Sequence, residues 1–380
     1  MKKLFISLSL LLCAATLFAQ EPILGAVSKE VSGNEASISN VPRQGSYTPS
    51  FKCDGTNAKV RNIILMIGDG MGVGAVATSF FANGGELTMT NLRCMGYVCT
   101  QSADNFTTDS AASGTAYATG SKTNNRCLGV GPDKKALENI PEAVVPAGYV
   151  AGVVSTDDVH GATPGAFYAH QPNRKMTKEI WGDIPASRLS FISAGDTKVY
   201  AKQDAGTRKS IEEKFTVVYD PSADYAGAER VLYLPETVKV GERGNYLPET
   251  TRMAIDFLSS KKGKGFFLMV EGARIDKEAH GNRLDGVVAE TLDFDKAIEV
   301  ALRFAEKDGH TLVVISADHE TGGIALKSGN QEPGTVAMVF TSKGHTPCFV
   351  PLFAYGPHSR DFACIQQNSD VSNKIKALLK

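Results

Sequence analysis

Hydrophobic residues gather along this chain into short unbroken runs that end at Gly or at a charged residue. NIILMIGDGMG (62–72) and TLVVISADHETGG (311–323) are two of them, and GYVAGVVST (148–156), the GFFLM segment ahead of position 270 and FVPLFAY (349–355) have the same form. Runs of this length without alternation fit strands buried on both faces, as in parallel sheets covered by helices. RLDGVVAETLDFDKAIEVALRFAE (283–306) instead repeats its apolar residues at helical spacing, with acids and bases on the other face, and SNKIKALLK at the C-terminus reads similarly. Alternating strands and helices predict an α/β sandwich with a mostly parallel central sheet flanked by helices.

The ends of the chain and its composition narrow this picture. Residues 1–19 combine two lysines, an apolar stretch and Ala19 before Gln20, which reads as a secretory signal peptide and predicts a periplasmic or secreted protein. A lipoprotein signal at Cys13 is the rival reading, but Leu12 before it is too large. Residues 20–50 are rich in Ser, Asn, Gly and Pro and read as an arm or linker, which leaves 51–380 as one large domain. Residues 178–250 hold the only Trp, Trp181, and carry no motif, so they read as scaffold, with a substrate-shaping insertion as the alternative. After the signal no stretch is apolar for long enough to span a bilayer. With 40 Lys and Arg against 41 Asp and Glu, the charge does not suggest a nucleic-acid binder. Cys53, Cys94, Cys99, Cys127, Cys348 and Cys364 follow the signal, an even set from which at least one disulfide is predicted; buried free thiols are the alternative.

Candidate chemistry sits where the strands end. VEGARIDKEAHGN (270–282) brings Glu271, Asp276 and His280 together, Asp69 closes the 62–72 run, Asp318 and His319 close the 311–323 run, and His345 precedes FVPLFAY. Carboxylates and imidazoles are ligands for divalent cations, and in such sheets ligands bind beyond the carboxyl ends of the strands. Asp276 and His280, four residues apart, also fit a solvated pair on a helix face. Ser110, in TTDSAASGTAYATGSK (107–122), fits either an ordinary helix N-cap or a nucleophile at a helix N-terminus. No GxSxG elbow accompanies it, so activation by a cation is the better reading.

GDGMG, TDSAASGTAYATG, VEGARIDKEAH, ADHETGG and GHT, in that order from about Asn62 to Pro357, resemble the alkaline phosphatases. The resemblance implies that Ser110 is a nucleophile forming a phosphoserine. It implies one zinc ion held by Asp276, His280 and His345, and a second held by Asp69, Asp318 and His319 with Ser110 as neighbour. A third ion, magnesium, falls to Asp69, Glu271 and Thr163. Arg174, at the end of VSTDDVHGATPGAFYAHQPNRK, matches the phosphate-binding arginine, whose fork reaches two oxygens at once. Lys277 matches a lysine that some members use to hold phosphate through water. Many members carry Asp or His two residues before the hydroxyl ligand, where this chain has Gly161, with His160 one position earlier.

The implied activity is two-step hydrolysis of phosphate monoesters. The implied partners are those substrates and a second copy of the chain in a homodimer, although the short span between Asp318 and His345 leaves only a reduced crown at the place where such dimers meet. The setting of Ser110 lacks the C/S-x-P-x-R pattern of related sulfatases, and Glu271 with Thr163 sets the chain apart from related phosphodiesterases. A non-catalytic zinc or phosphate binder would not need Ser110 among the ligands. His170, in YAHQPNR, is read as a structural hydrogen-bonding residue, and His310 and His358 as solvent-facing.

Overall fold

The unbroken apolar runs become the centre of a large sheet. The computed structural model describes residues 27–380 except 33, 196, 240, 332 and 333, so the segment 1–19 and Cys13 lie outside the described residues. In chain order the strands are β1 (Val27–Ser32), β2 (Glu35–Ser39), β3 (Asn62–Gly68), β4 (Cys94–Cys99), β5 (Val150–Ser155), β6 (Phe191–Ser193), β7 (Thr216–Val218) and β8 (Val231–Tyr233). They continue with β9 (Phe266–Gly272), β10 (Thr311–Ser316), β11 (Glu320–Thr321), β12 (Ile324–Asn330), β13 (Thr335–Phe340), β14 (His345–Thr346), β15 (Val350–Tyr355) and β16 (Ile365–Gln367). Ten of them form one sheet in the order β16-β4-β15-β10-β3-β9-β5-β6-β8-β7. Only β15 runs against its neighbours; the other pairs are parallel. Every residue of β3, β9, β10 and β15 is buried, as a sheet covered on both faces requires.

Helices supply that cover. The longest, Leu284–Asp308, turns its apolar stripe inward and ends at Gly309, whose left-handed φ of 72° suits a glycine stop. Tyr246–Ser259 lies beside it with the same amphipathic habit. Ser110–Thr119 is made mostly of small residues, and all of it is buried. No helix among the described residues is long and apolar enough to cross a membrane.

The segment 178–250 extends the far edge of the sheet through β6, β7 and β8, with Trp181 buried beneath it. The described part of 20–50 includes β1 and β2, which join β13 and β12 in a second, four-stranded sheet. The span from Asp318 to His345 is compact, being mainly the β12–β13 hairpin.

The expected disulfide is not found. All six cysteines of the described residues are free thiols. The Cys94 thiol donates to the Ser359 carbonyl at 2.9 Å, Cys53 donates to the Tyr355 hydroxyl at 3.3 Å, and Cys127 accepts from the Lys134 ammonium at 2.8 Å. These three are spent on partners other than sulfur, and the even count alone could not reveal this. His310 and His358 are half-buried rather than solvent-facing, beside the Lys59 carbonyl and Asp361 respectively.

His170 is structural, as expected. Its Nδ1 meets the Gly129 carbonyl at 2.7 Å and its Nε2 meets Glu142 at 2.9 Å. The hydrogen bond to Glu142 raises the His170 pKa above 6.5. Burial opposes ionisation of Glu142, yet His170 holds that carboxyl below 4.5. A raised imidazole pKa contributes stability that is complete below the unfolded value and fades as pH climbs through the folded one. His170→Gln is therefore expected to cost about 0.5–1 kcal/mol near pH 6, allowing for solvent around the pair, and distinctly less near pH 9. Urea denaturation of both proteins at the two pH values checks this.

Candidate metal centre and active site

β5, β9, β3 and β10 are adjacent and parallel, so their C-terminal ends open on one edge of the sheet. The register keeps those ends level: Ser155 lies opposite Glu271, Glu271 opposite Ile67, and Ile67 opposite Ser316. The loop after β3 then delivers Asp69, β9 itself delivers Glu271, and the turn after β10 delivers Asp318 and His319. Gly70, at φ 73°, lets the helix Arg274–His280 press onto that first loop, because a Cβ there would lie 2.8 Å from the Asp276 Cα.

Two groups of ligand-type atoms result, Asp69 with Asp318 and His319, and Asp276 with His280 and His345; within each, the atoms lie within 4.8 Å of one another. In the first group His319 Nε2 is 3.4 Å from Asp69 Oδ1 and 3.2 Å from Asp318 Oδ2. Asp69 Oδ1 and Asp318 Oδ2 are buried without a hydrogen-bond partner. The other oxygen of Asp318 is held by the backbone N–H groups of Gly70 and His319, at 3.1 and 3.0 Å. The Thr321 hydroxyl donates to Asp276 at 2.5 Å and lies 3.1 Å from His319 Nδ1. Thr321 therefore accepts from Nδ1–H, which leaves the Nε2 lone pair facing the carboxylates, the tautomer a metal needs.

The second group obeys the same logic. His280 Nδ1 meets the Lys343 carbonyl and His345 Nδ1 meets the Thr108 carbonyl. Both Nε2 atoms then carry lone pairs, yet they stand 3.2 Å apart and within 3.5 Å of Asp276 Oδ1. Two lone pairs and a carboxylate converging on one point fit a cation. The rings of His319 and His345 stack at 3.5 Å, so the two groups adjoin.

Charge in this pocket is crowded. Burial first, then Asp318, Asp276 and Glu271, push the Asp69 pKa well above 3.8. Burial and Asp276 push Asp318 up to about 7, and burial followed by Asp157 pushes Glu271 up to about 8. Burial and His345 drive His319 well below 6.5. Glu271 accepts from the Ser155 hydroxyl and is approached by Thr163.

Ser110 opens its helix, but the cap is Asp109, whose carboxylate accepts from the Ala112 N–H at 3.0 Å. The Ser110 hydroxyl is thus not spent on capping and lies 3.2 Å from His319 Nε2. Arg174 is held beside it, its Nη1 3.5 Å from Asp109. Lys277 pairs with Asp157, and a cavity of about 350 Å³ lined in part by Asp157, Gly161 and Arg174 opens to solvent. His160 turns toward Trp181, the ring centroids 6.0 Å apart. The sequence reading did not find Ser155, Asp157 or Thr321. Thr321 follows His319 by two positions, a spacing that lets a hydroxyl meet its ring, and nothing comparable marks the others.

The family model described as alkaline phosphatase matches residues 60–205 and 242–339. Alkaline phosphatase 4 of Bacillus subtilis is 32% identical over 345 residues, 84% of this chain and 75% of that protein. Among solved structures, the alkaline phosphatase of the Antarctic bacterium TAB5 superposes with a TM-score of 0.79 at 33% identity, covering 84% of this chain and 98% of that one. A variant of the TAB5 enzyme, 34% identical with the same TM-score and coverage, is described with Mg bound in its M3 site. The chain belongs to the alkaline phosphatase family and is a phosphoric monoester hydrolase.

Proposed function

We propose that this hydrolase works through a phosphate ester formed on Ser110, at a centre for two zinc ions and one magnesium ion. The observation that carries the reading is the Ser110 hydroxyl, free of capping and 3.2 Å from a histidine of the first ligand group. Asp69, Asp318 and His319 would hold one zinc, with Ser110 as neighbour, and Asp276, His280 and His345 the other. Asp69, Glu271 and Thr163 would hold magnesium. The donor sets fit: mixed imidazole and carboxylate suits zinc, and an all-oxygen set suits magnesium. When bound, the cations supply Lewis-acid charge that favours the Ser110 alkoxide and offsets charge on the phosphoryl oxygens.

The chain's own groups do the rest. Ser110 Oγ loses its proton and bonds to phosphorus while the ester oxygen departs as the alcohol. The N-terminus of the helix Ser110–Thr119 favours the negative charge gathered there. Arg174, steadied by Asp109, binds two phosphate oxygens and follows them through the transition state. Lys277, paired with Asp157, would hold phosphate through water. Water then breaks the bond between phosphorus and Ser110 Oγ, and inorganic phosphate leaves. The signal reading of residues 1–19 places this reaction in the periplasm or outside the cell.

Ser110→Ala is expected to lower turnover of an aryl phosphate by roughly a thousandfold or more while leaving the fold intact, and to abolish the covalent phosphate that acid quenching traps in the unaltered protein. Stripping cations with a chelator is expected to lower the unfolding midpoint by roughly 5–10 °C at neutral to alkaline pH, because the buried carboxylates then repel without compensation. Calorimetry of stripped and zinc-reloaded protein reads this directly. A monoester is expected to turn over faster than a diester of the same leaving group, since Glu271 and Thr163 complete a third cation site; paired kcat/KM measurements decide.

A further inference from the structure

Gly161 stands two residues before Thr163, and the space its missing side chain leaves is filled. A Cβ at 161 would meet Asp157 Oδ2 at 2.5 Å, its Cγ at 2.9 Å and the Asp158 carbonyl oxygen at 2.9 Å. The Asp157 carboxylate and a side chain at 161 therefore exclude each other. Asp157 is fixed on three sides. Its N–H donates to Ser155 Oγ at 2.8 Å, its carbonyl accepts from Gly195 N–H at 2.6 Å, and its carboxylate pairs with the Lys277 ammonium. The same Ser155 hydroxyl donates to Glu271, so one small residue ties Asp157 to a candidate cation ligand. His160, which lines the same cavity, packs on Trp181.

We propose that Asp157 is the positioning residue of the third cation site: seated where Gly161 has no side chain, its carboxylate adds negative charge beside Glu271 and Thr163 and fixes Lys277 over the phosphate side. This rests on the phosphatase reading above. Asp157 does not touch the reacting atoms; it acts through the cation and through Lys277. The carboxylate that serves this site thus arrives from four residues earlier in the chain, and the glycine is what admits it.

The test is a cycle of Asp157→Ala, Gly161→Asp and the double variant, each loaded with zinc, with magnesium affinity measured by calorimetry and inorganic phosphate affinity by competitive inhibition. Asp157→Ala is expected to weaken magnesium binding by roughly 10- to 100-fold and to weaken phosphate binding as well, through release of Lys277. Gly161→Asp alone is expected to lower the unfolding midpoint, because two carboxylates then compete for one space. In the double variant the tightest contact is gone and only a small shift from the Asp158 carbonyl oxygen is needed, so magnesium affinity is expected to recover to within about threefold of the parent. Should Asp157→Ala fold poorly, Asp157→Asn removes the charge at constant shape and is expected to show the same loss of magnesium affinity. Unchanged magnesium affinity in the Asp157 variants, or a double variant no better than Asp157→Ala, overturns the proposal. Failure to trap phosphate on Ser110 in the parent protein would instead overturn the phosphatase mechanism beneath it.

Discussion

Like charges buried together are the constraint on which this structure turns. Asp69, Glu271, Asp276 and Asp318 are all buried beside one edge of the sheet, and Asp69, Glu271 and Asp318 are each pushed toward the protonated form by burial and then by a neighbouring carboxylate, Asp318, Asp157 and Asp276 respectively. Removing one such ion from water costs several kcal/mol. Part of the compensation is protein: Asp318 receives two backbone N–H groups, Asp276 the Thr321 hydroxyl and Glu271 the Ser155 hydroxyl. Those hydrogen bonds still leave Asp69 Oδ1 and Asp318 Oδ2 bare. A set of carboxylates bare on one side and fastened on the other is suited to divalent ions, and it explains why so much of the fold serves to hold these loops still.

The histidines carry the same division of labour. Each turns Nδ1 to a fixed oxygen, from Thr321, Lys343 or Thr108, and so presents Nε2 to the pocket. These partners come from three separate parts of the chain: β11, the turn between β13 and β14, and the segment just before the helix Ser110–Thr119. The start of the helix Ser110–Thr119 uses a similar economy, since Asp109 takes the capping duty that would otherwise occupy Ser110, and also pairs with Arg174.

Much of this was legible in the sequence where one physical cause dominates. Strands buried on both faces announce themselves as unbroken apolar runs, so β3, β9, β10 and β15 are readable, and the amphipathic period gives the helix Leu284–Asp308 almost to its ends. The residues of the two clustered groups are readable as candidates because charged groups placed directly after such runs need a reason. β6, β7 and β8 are only three residues long and carry no periodicity, so they surface only when packed at the sheet edge. β1 and β2 lie in a polar stretch whose pairing depends on the distant β13. The free thiols escaped because Cys pairing is decided by distance in space. Asp157 escaped for a subtler reason: its place is defined by a side chain that Gly161 lacks.

The central claim is that the two adjoining groups of imidazoles and carboxylates form one binuclear cation site beside the Ser110 oxygen. Crystals grown with zinc and measured on both sides of the zinc absorption edge test it most directly. The account predicts a pair of strong anomalous peaks, one between Asp69, Asp318 and His319 and one between Asp276, His280 and His345, both flanking Ser110 Oγ. A map with no paired peaks at that oxygen, in protein that has taken up zinc, would contradict it.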